Sequence, residues 1–513
     1  MKSVTMHSIP CAARRGRNLG SLLAIVVCLF VAEARSTTLI VNSLDELENA
    51  IQGLEPDATV LLADGSYETA RPIRIEGKRG TSEAPIIVRA EHRGQAMIGG
   101  AAGFVIRDCE YLVLEGFVLT HDADKPSVLL DNCRQVQVTR NVFRLQERAK
   151  PRRWEHWVYA IGAQSAHNRI DHNLFERKVN RGSHVFVRGD DAALVCSQYD
   201  RIDHNHFRDV IYANSENGHE TIRTGSNDLG ASGQSSFTTI EDNLLEQCSG
   251  ESEIMSLKSS DNVVRRNTLI NCRGAISLRL GNRTEVSGNF ILATDGGPSR
   301  GGVRFYGCDH RIFNNYFQGL TGAKYEAPLA LIPGIFDTPA TEKIGKEYDS
   351  LTTVAPTRAW IAFNTWIDCA PLQFGFKEDT VRIYTPNECT FVNNMVVRTK
   401  SQAKPLVNLE LVRDLRAHDN LGYNYGAAFR NEWADWFRRE DPGLCRPENG
   451  PELWRLTDSS PAIDAAVEDS PTIDDDVFGR VRLGRRDIGA EEFSDEALRY
   501  RPLTAEDVGP DAP

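Results

Sequence analysis

Arg169-Ile-Asp-His-Asn-Leu-Phe175 returns 32 residues later as Arg201-Ile-Asp-His-Asn-His-Phe207, and this near-duplication decides the reading of the fold. Its closing element, Asn followed by two mostly apolar residues, recurs at Asn141, Asn173, Asn205, Asn243, Asn267, Asn289, Asn315, Asn364 and Asn394, at intervals of 32, 32, 38, 24, 22, 26, 49 and 30 residues. Helical repeats of that length would place apolar residues at a 3.6-residue period, whereas these units alternate with period 2 and are rich in Val, Ile and Thr. The shortest interval, 22 residues, holds three short strands and three turns. The repeat therefore predicts an all-β chain, a right-handed single-stranded parallel β-helix whose longer intervals are coils with loop insertions on one side. An asparagine at a fixed bend tolerates left-handed backbone and can hydrogen-bond along a column of like residues, which accounts for its recurrence without any chemistry.

Outward from the repeat, Ser43 to Leu54 reads as an N-terminal capping helix over the open sheet end. Val60-Leu-Leu-Ala-Asp-Gly-Ser-Tyr and Pro85-Ile-Ile-Val-Arg-Ala follow it as the first coils. Residues 35–430 are expected to form the β-helix domain, and 431–501 further coils and an extension of it, with residues 431–440 read as helical. Residues 502–513 read as a disordered polar tail. At the other end, Arg14, Arg15 and Arg17 precede the apolar run Leu22 to Val31 and the small-x-small site Ala32-Glu33-Ala34. Residues 1–34 thus read as a signal peptide, which implies a secreted or periplasmic protein. A membrane anchor is the alternative, but the run is well short of the about 20 apolar residues that span a bilayer.

The composition, 513 residues with 41% apolar and 25% charged, is that of a folded chain with a large core. Its formal charge is -12; removing residues 1–34 takes away Lys2, three Arg and Glu33 and leaves 55 cations against 70 anions. General attraction to nucleic acid or an anionic membrane is disfavoured, so any anionic partner needs a local basic groove. Nine cysteines remain beyond the leader, an odd and scattered set without a CxxC pair. They read as buried thiols rather than a disulfide, zinc or redox framework.

Polar residues that collect at one phase of the coil mark the chemistry. Asn217 lies 12 after Asn205, Glu251, Glu253 and Lys258 lie 8, 10 and 15 after Asn243, Arg279 lies 12 after Asn267, and Arg304 lies 15 after Asn289. Successive coils thus bring an amide, two carboxylates and three cations to one wall. Glu251 and Glu253, two apart on a strand, face the same way and with Asn217 suit a hard cation. Lys258 and Arg279, 21 residues apart, are expected to stack as neighbours.

At Gly250-Glu-Ser-Glu-Ile-Met-Ser-Leu-Lys-Ser, Leu278-Arg-Leu-Gly and Gly301-Gly-Val-Arg the sequence resembles polysaccharide lyase family 6, the alginate lyases and chondroitinase B, and Asn217-Gly-His-Glu-Thr-Ile-Arg-Thr-Gly is similar to an upstream segment of that family. The resemblance implies a parallel β-helix lyase that cleaves a uronic-acid polysaccharide by β-elimination, with alginate favoured by family membership and dermatan sulfate as the alternative. It further implies Ca²⁺ held by Asn217, Glu251 and Glu253, Lys258 as general base and Arg279 as its partner. Phe175-Glu-Arg-Lys-Val-Asn-Arg-Gly resembles a basic substrate-contacting segment, which would make Lys178 a substrate ligand. The family commonly has His after the Arg, where Leu280 stands here.

Other readings stand beside this one. Arg304 either anchors a substrate carboxylate or pairs with an acidic neighbour, and Trp154, His156 and Trp157 form either a sugar-stacking subsite or core. Gly189-Asp190-Asp191 resembles part of a polygalacturonase-type hydrolase site, although a lone GDD more often marks a turn. A non-catalytic carbohydrate-binding β-helix would need the repeat but not the Glu-Glu-Lys-Arg set.

Overall fold

The computed structural model describes residues 37–147, 154–211, 217–226, 234–337, 353–377, 380–426, 435–447, 452–467 and 473–513. The leader reading of residues 1–34 therefore lies outside the described residues. Three long parallel sheets run the length of the molecule, each taking one strand from every coil, so that the chain is a parallel β-helix. The first sheet runs from Thr37–Val41 to Arg416–His418, the second from Ile73–Glu76 to Val407–Leu409, and the third from Gly65–Thr69 to Phe437–Arg439. Period-2 alternation puts one residue in two inside, as in Ile73–Glu76 and Ile86–Ala90, where every second side chain is buried.

The helix Leu44–Gln52 covers the first coil with Leu47 and Ile51 buried. Its start is fixed by Ser43 Oγ, which accepts from the Glu46 N–H at 3.1 Å, and by Glu46 Oε2, which accepts from the Asn42 N–H at 2.7 Å.

Each repeat asparagine is buried in a ladder. The Asn173 N–H and Nδ2 both donate to Asn205 Oδ1, at 3.0 Å each, while Nδ2 also reaches the carbonyls of Val138 and Asp171. The same pattern continues through Asn394 to Asn420, one coil beyond the last expected copy. The left-handed residue at this corner is the one before the asparagine: Arg140, His172, His204, Asp242 and Arg266 all have φ between 50 and 55°. The asparagine itself is freed to turn its amide inward, which corrects the expectation that it occupied the left-handed position. Two residues on, Phe143, Phe175 and Phe207 stack inside the coil at 4.5 and 4.8 Å. Eight of the nine described cysteines are buried, and none is bonded to another. Cys109, Cys133, Cys248 and Cys272 each donate Sγ–H to a carbonyl of the preceding coil.

Two C-terminal expectations are corrected. Phe437–Arg439 is a strand pairing with Asn420–Tyr425, because the third sheet still offers an open edge there; the first part of the expected helix falls outside the described residues. Residues 502–513 are ordered against earlier coils: the Leu503 N–H donates to Thr268 Oγ1 at 2.8 Å, the Gly509 N–H to the His204 carbonyl at 2.8 Å, and Arg93 and Arg140 both reach the Pro510 carbonyl at 2.8 Å. Val508 and Ala512 are buried, so apolar contact and backbone pairing hold a segment that lacks any strand pattern.

Candidate active site

The outward-facing side chains of the second sheet form a column across successive coils: Tyr159, Phe186, Arg223, Ser256, Ser277 and Arg304 lie opposite one another in turn. Two serines between two arginines leave a low floor. Over it opens a groove of about 290 Å³ lined by Asn217, Glu251, Glu253, Lys258, Arg279 and Arg304, with Tyr306, Tyr325 and Arg382 on its rim. Six of the seven sequence candidates therefore meet in one place.

Irregular pairing aims these side chains. Leu257 lies opposite Leu278 but Lys258 lies opposite Leu280, so a β-bulge leaves Arg279 as the extra residue. Lys258 and Arg279 are thus offset across the bulge rather than stacked, since the additional residue turns the guanidinium out of register. Leu280, in the family's His position, is buried.

Lys258 is buried, with Nζ 3.6 Å from Glu220 Oε1. Burial first, and then the charges of Arg223 and Arg279, pull its pKa below the ordinary lysine value against the opposing pull of Glu220 and Glu253. Arg279 Nε lies 3.6 Å from Glu253 Oε1, its guanidinium sits 5.2 Å from the Tyr306 ring, and its buried Nη1 has no hydrogen-bond partner among the described residues. That unspent donor suits a carboxylate brought in by a ligand. Arg304 donates Nε to Ser277 Oγ at 2.9 Å and pairs with Glu253, so both sequence readings of this residue meet in a single side chain that lines the groove and is internally paired.

The carboxylates are crowded. Burial raises Glu251 to about 8, assisted by Glu220 and Glu253, even though its Oε1 accepts the Gly218 and His219 N–H groups at 2.9 Å each. Burial alone would also raise Glu253, but Arg304, Lys258 and Arg279 together hold it at about 2. Glu220, which the sequence reading quoted within a motif but did not single out, is buried with both oxygens lacking a hydrogen-bond partner among the described residues. An all-oxygen donor set of Asn217, Glu251 and Glu253 fits a hard divalent cation, with Glu220 beside it within ion-pair distance of Lys258 and Arg223. It does so as two carboxylates and an amide. Among the described residues, ligand atoms of three His, Cys, Asp or Glu side chains lie within 4.8 Å of one another only at Asp64, Glu91 and His92, of which Asp64 and His92 are exposed.

Lys178 is the candidate that the structure removes from the wall. Its side chain is fully buried, Nζ donating to Glu147 Oε1 at 2.9 Å and to the Glu155 carbonyl at 2.8 Å, 5.1 Å from the Trp157 ring. The cation turns inward because a carboxylate, a carbonyl and an indole face await it there. Trp157 is core, while Trp154 is 43% exposed. Asp190 accepts the Ala192 and Ala193 N–H groups and Asp191 pairs with Arg188, so Gly189 and Asp190 end a strand, paired with Cys196 and Val195, and Asp191 opens the turn to that antiparallel partner. A larger cleft of about 460 Å³ lies under the C-terminal segment, but its Arg265, Arg266 and Arg311 are already paired to Glu241, Asp242 and Glu285.

The family model described as Chondroitinase B matches residues 41–437. No curated protein matches the chain. Among solved structures, the PL6 family alginate lyase AlyGC superposes with a TM-score of 0.70 at 24% identity, covering 86% of this chain and 60% of that one. The chain thus spans 60% of that relative's length. A mannuronic acid specific family 6 lyase from human gut microbiota aligns with a TM-score of 0.64 at 24% identity over 79% of this chain and 91% of its own. A PL6 alginate lyase in complex with a trisaccharide gives 0.63 at 20% identity, over 83% and 92%. These likenesses establish the β-helix architecture.

Proposed function

The chain belongs to the chondroitinase B family, and from that premise we propose that it is a polysaccharide lyase cleaving a uronic-acid polysaccharide, alginate first, by β-elimination. The observation that carries the reading is the meeting, in one groove, of a buried lysine with a lowered pKa, an arginine with an unspent donor and a crowded carboxylate pair. Removing the C5 proton of a uronate is difficult because the adjacent carboxylate is already negative and must accept more charge. Arg279, through Nη1, binds and orients that carboxylate. Lys258, as the neutral amine that burial favours, takes the C5 proton; the electron pair forms the C4–C5 double bond, the C4–O bond breaks, and the departing oxygen takes a proton from the protonated Lys258 or from water. Arginine keeps its proton near neutral pH, so the base falls to Lys258. A divalent cation held by Asn217, Glu251 and Glu253 would neutralise the substrate carboxylate and the enolate-like charge that develops on it. Arg304, tied to Glu253, holds that carboxylate in place beneath the groove.

Alginate is favoured because the structurally similar lyases carry it in their descriptions; dermatan sulfate is the second reading, favoured by the description of the matching family model. Secretion or periplasmic placement rests on the leader-like sequence of residues 1–34. The test is a panel of uronic-acid polysaccharides incubated with the purified protein and scored by the ultraviolet absorbance of the new double bond. Chain shortening without that chromophore would overturn the lyase reading in favour of hydrolysis.

A further inference from the structure

Upstream of Lys258 the wall changes character. Downstream it presents the cations Arg279, Arg304 and Arg382 between tyrosines, whereas upstream it presents the rings of Trp154, His156, Tyr159 and Phe186, with Arg188 donating to Tyr159 Oη at 2.9 Å and Arg223 over Phe186. The Arg223 guanidinium lies 4.4 Å from the Phe186 ring centroid and 5.9 Å from that of Trp154, with Glu220 at 3.9 Å. Its buried Nε has no hydrogen-bond partner among the described residues. Trp154 is braced from below: a Cβ added at Gly218, whose φ is +87°, would lie 2.9 Å from the indole. The indole therefore rests on the backbone of the turn that carries Asn217, while His156 meets it edge-on at 6.4 Å. A large ring held so firmly and still 43% exposed is not filling a core.

We propose that Trp154, with Arg223 behind it, is a sugar-binding subsite that takes a uronate ring on the N-terminal side of the scissile position. The inference rests on the lyase reading above and adds the part of the wall that grips the chain beyond the bond broken. A pyranose presents an apolar face of C–H groups that packs on an indole, and its carboxylate supplies the acceptor that Arg223 Nε lacks. Arg223 lies one strand from Ser256, roughly 5 Å away, and Ser256 Oγ donates to Glu253 in the groove, so the ring bound here belongs to the same chain as the sugar over Lys258. Recognition is then divided: the downstream half reads charge, and the upstream half reads chiefly a ring face, with Arg223 behind it.

The test is the dependence of kcat/KM on substrate length, measured with size-fractionated oligouronates for the unmodified protein, Trp154→Ala and Trp154→Phe. A chain too short to reach Trp154 should be cleaved equally well by all three. For longer chains Trp154→Ala should lose roughly 3- to 10-fold, mostly in KM, and Trp154→Phe should recover most of that loss. An unchanged length dependence in Trp154→Ala overturns the subsite, as does an equal loss at every length. If the unmodified protein makes no unsaturated ends from any uronan, the lyase reading has failed. The subsite is then judged by calorimetric titration of oligouronate into the unmodified protein and Trp154→Ala, where equal affinities overturn it.

Discussion

Asn267→Ala removes one rung from the middle of the asparagine ladder, and the structure sets the size of the effect. Asn267 Oδ1 accepts the Asn243 N–H at 3.1 Å and Asn243 Nδ2 at 2.9 Å; its own Nδ2 donates to the Ile240 and Arg265 carbonyls at 2.9 and 3.1 Å. Truncation strands the buried Asn243 N–H, at about 1–3 kcal/mol, and forfeits the three further amide bonds at about 0.5–1.5 kcal/mol each. The sum is about 5 kcal/mol, large beside the few tenths typical of surface changes. Asn271 is the control, because it is an asparagine only four residues on that bonds Thr294 at the exposed surface with φ 53°. Asn271→Gly loses those bonds but relieves the left-handed backbone, and it should change stability by less than about 1 kcal/mol. Urea unfolding followed by circular dichroism, with the three proteins compared at one protein concentration and temperature, gives the midpoints. Equal midpoints for Asn267→Ala and Asn271→Gly would refute the claim that the ladder is a structural column.

Lys258→Ala should lower turnover by about 10²- to 10⁴-fold with substrate still bound, and full activity in that variant ends its assignment as base. Because the folded lysine titrates below its ordinary value, kcat/KM should rise with pH through a limb below that value; Arg223→Met removes a positive neighbour and should move the limb to higher pH, and an unmoved limb would show that Arg223 does not act on the base. Calcium added to chelator-stripped protein should restore turnover and raise Tm, with Glu251→Gln reducing both responses; equal calorimetric shifts in the two proteins would dissociate Glu251 from the ion. Deleting residues 502–513 should lower Tm and speed amide exchange around His204 and Thr268, whereas unchanged exchange there would mean the segment merely rests on the surface.

The β-helix was legible because the repeat that builds it is local: the alternation, the asparagine and the Phe two residues on all lie within a few positions. Asn420 escaped because Gly422 stands where the earlier copies have an apolar side chain. The site was legible to the level of phase, since offsets of 8 to 15 residues from the asparagines bring side chains to one wall. A phase count cannot register a bulge, and so it stacked Arg279 on Lys258 where an extra residue separates them. Nor does a charge in a sequence disclose its burial; Lys178 became a core cation because Glu147, 31 residues earlier, supplies the counter-charge. Glu220 and Arg223 carried a usable signal, as Arg223 falls in register with Ser256 on the outward column.

The C-terminal segment runs against the direction in which the coils were laid down. From Gly489 on, the Gly489 N–H reaches the Asn393 carbonyl, the Ala490 N–H Thr365 Oγ1, the Leu503 N–H Thr268 Oγ1 and the Gly509 N–H the His204 carbonyl, and the Pro510 carbonyl meets Arg140 and Arg93. A solenoid in which each coil touches only its neighbours can melt or grow from any point, its stability close to a sum of nearest-neighbour terms. Here residues 503–512 close contacts with coils far earlier in the chain, across sequence separations of 417 and 370 residues for Arg93 and Arg140. Early coils can form before residues 503–512 are made, but the flank they expose waits for that segment before it is covered. Loss of residues 502–513 would therefore be felt among coils completed several hundred residues earlier.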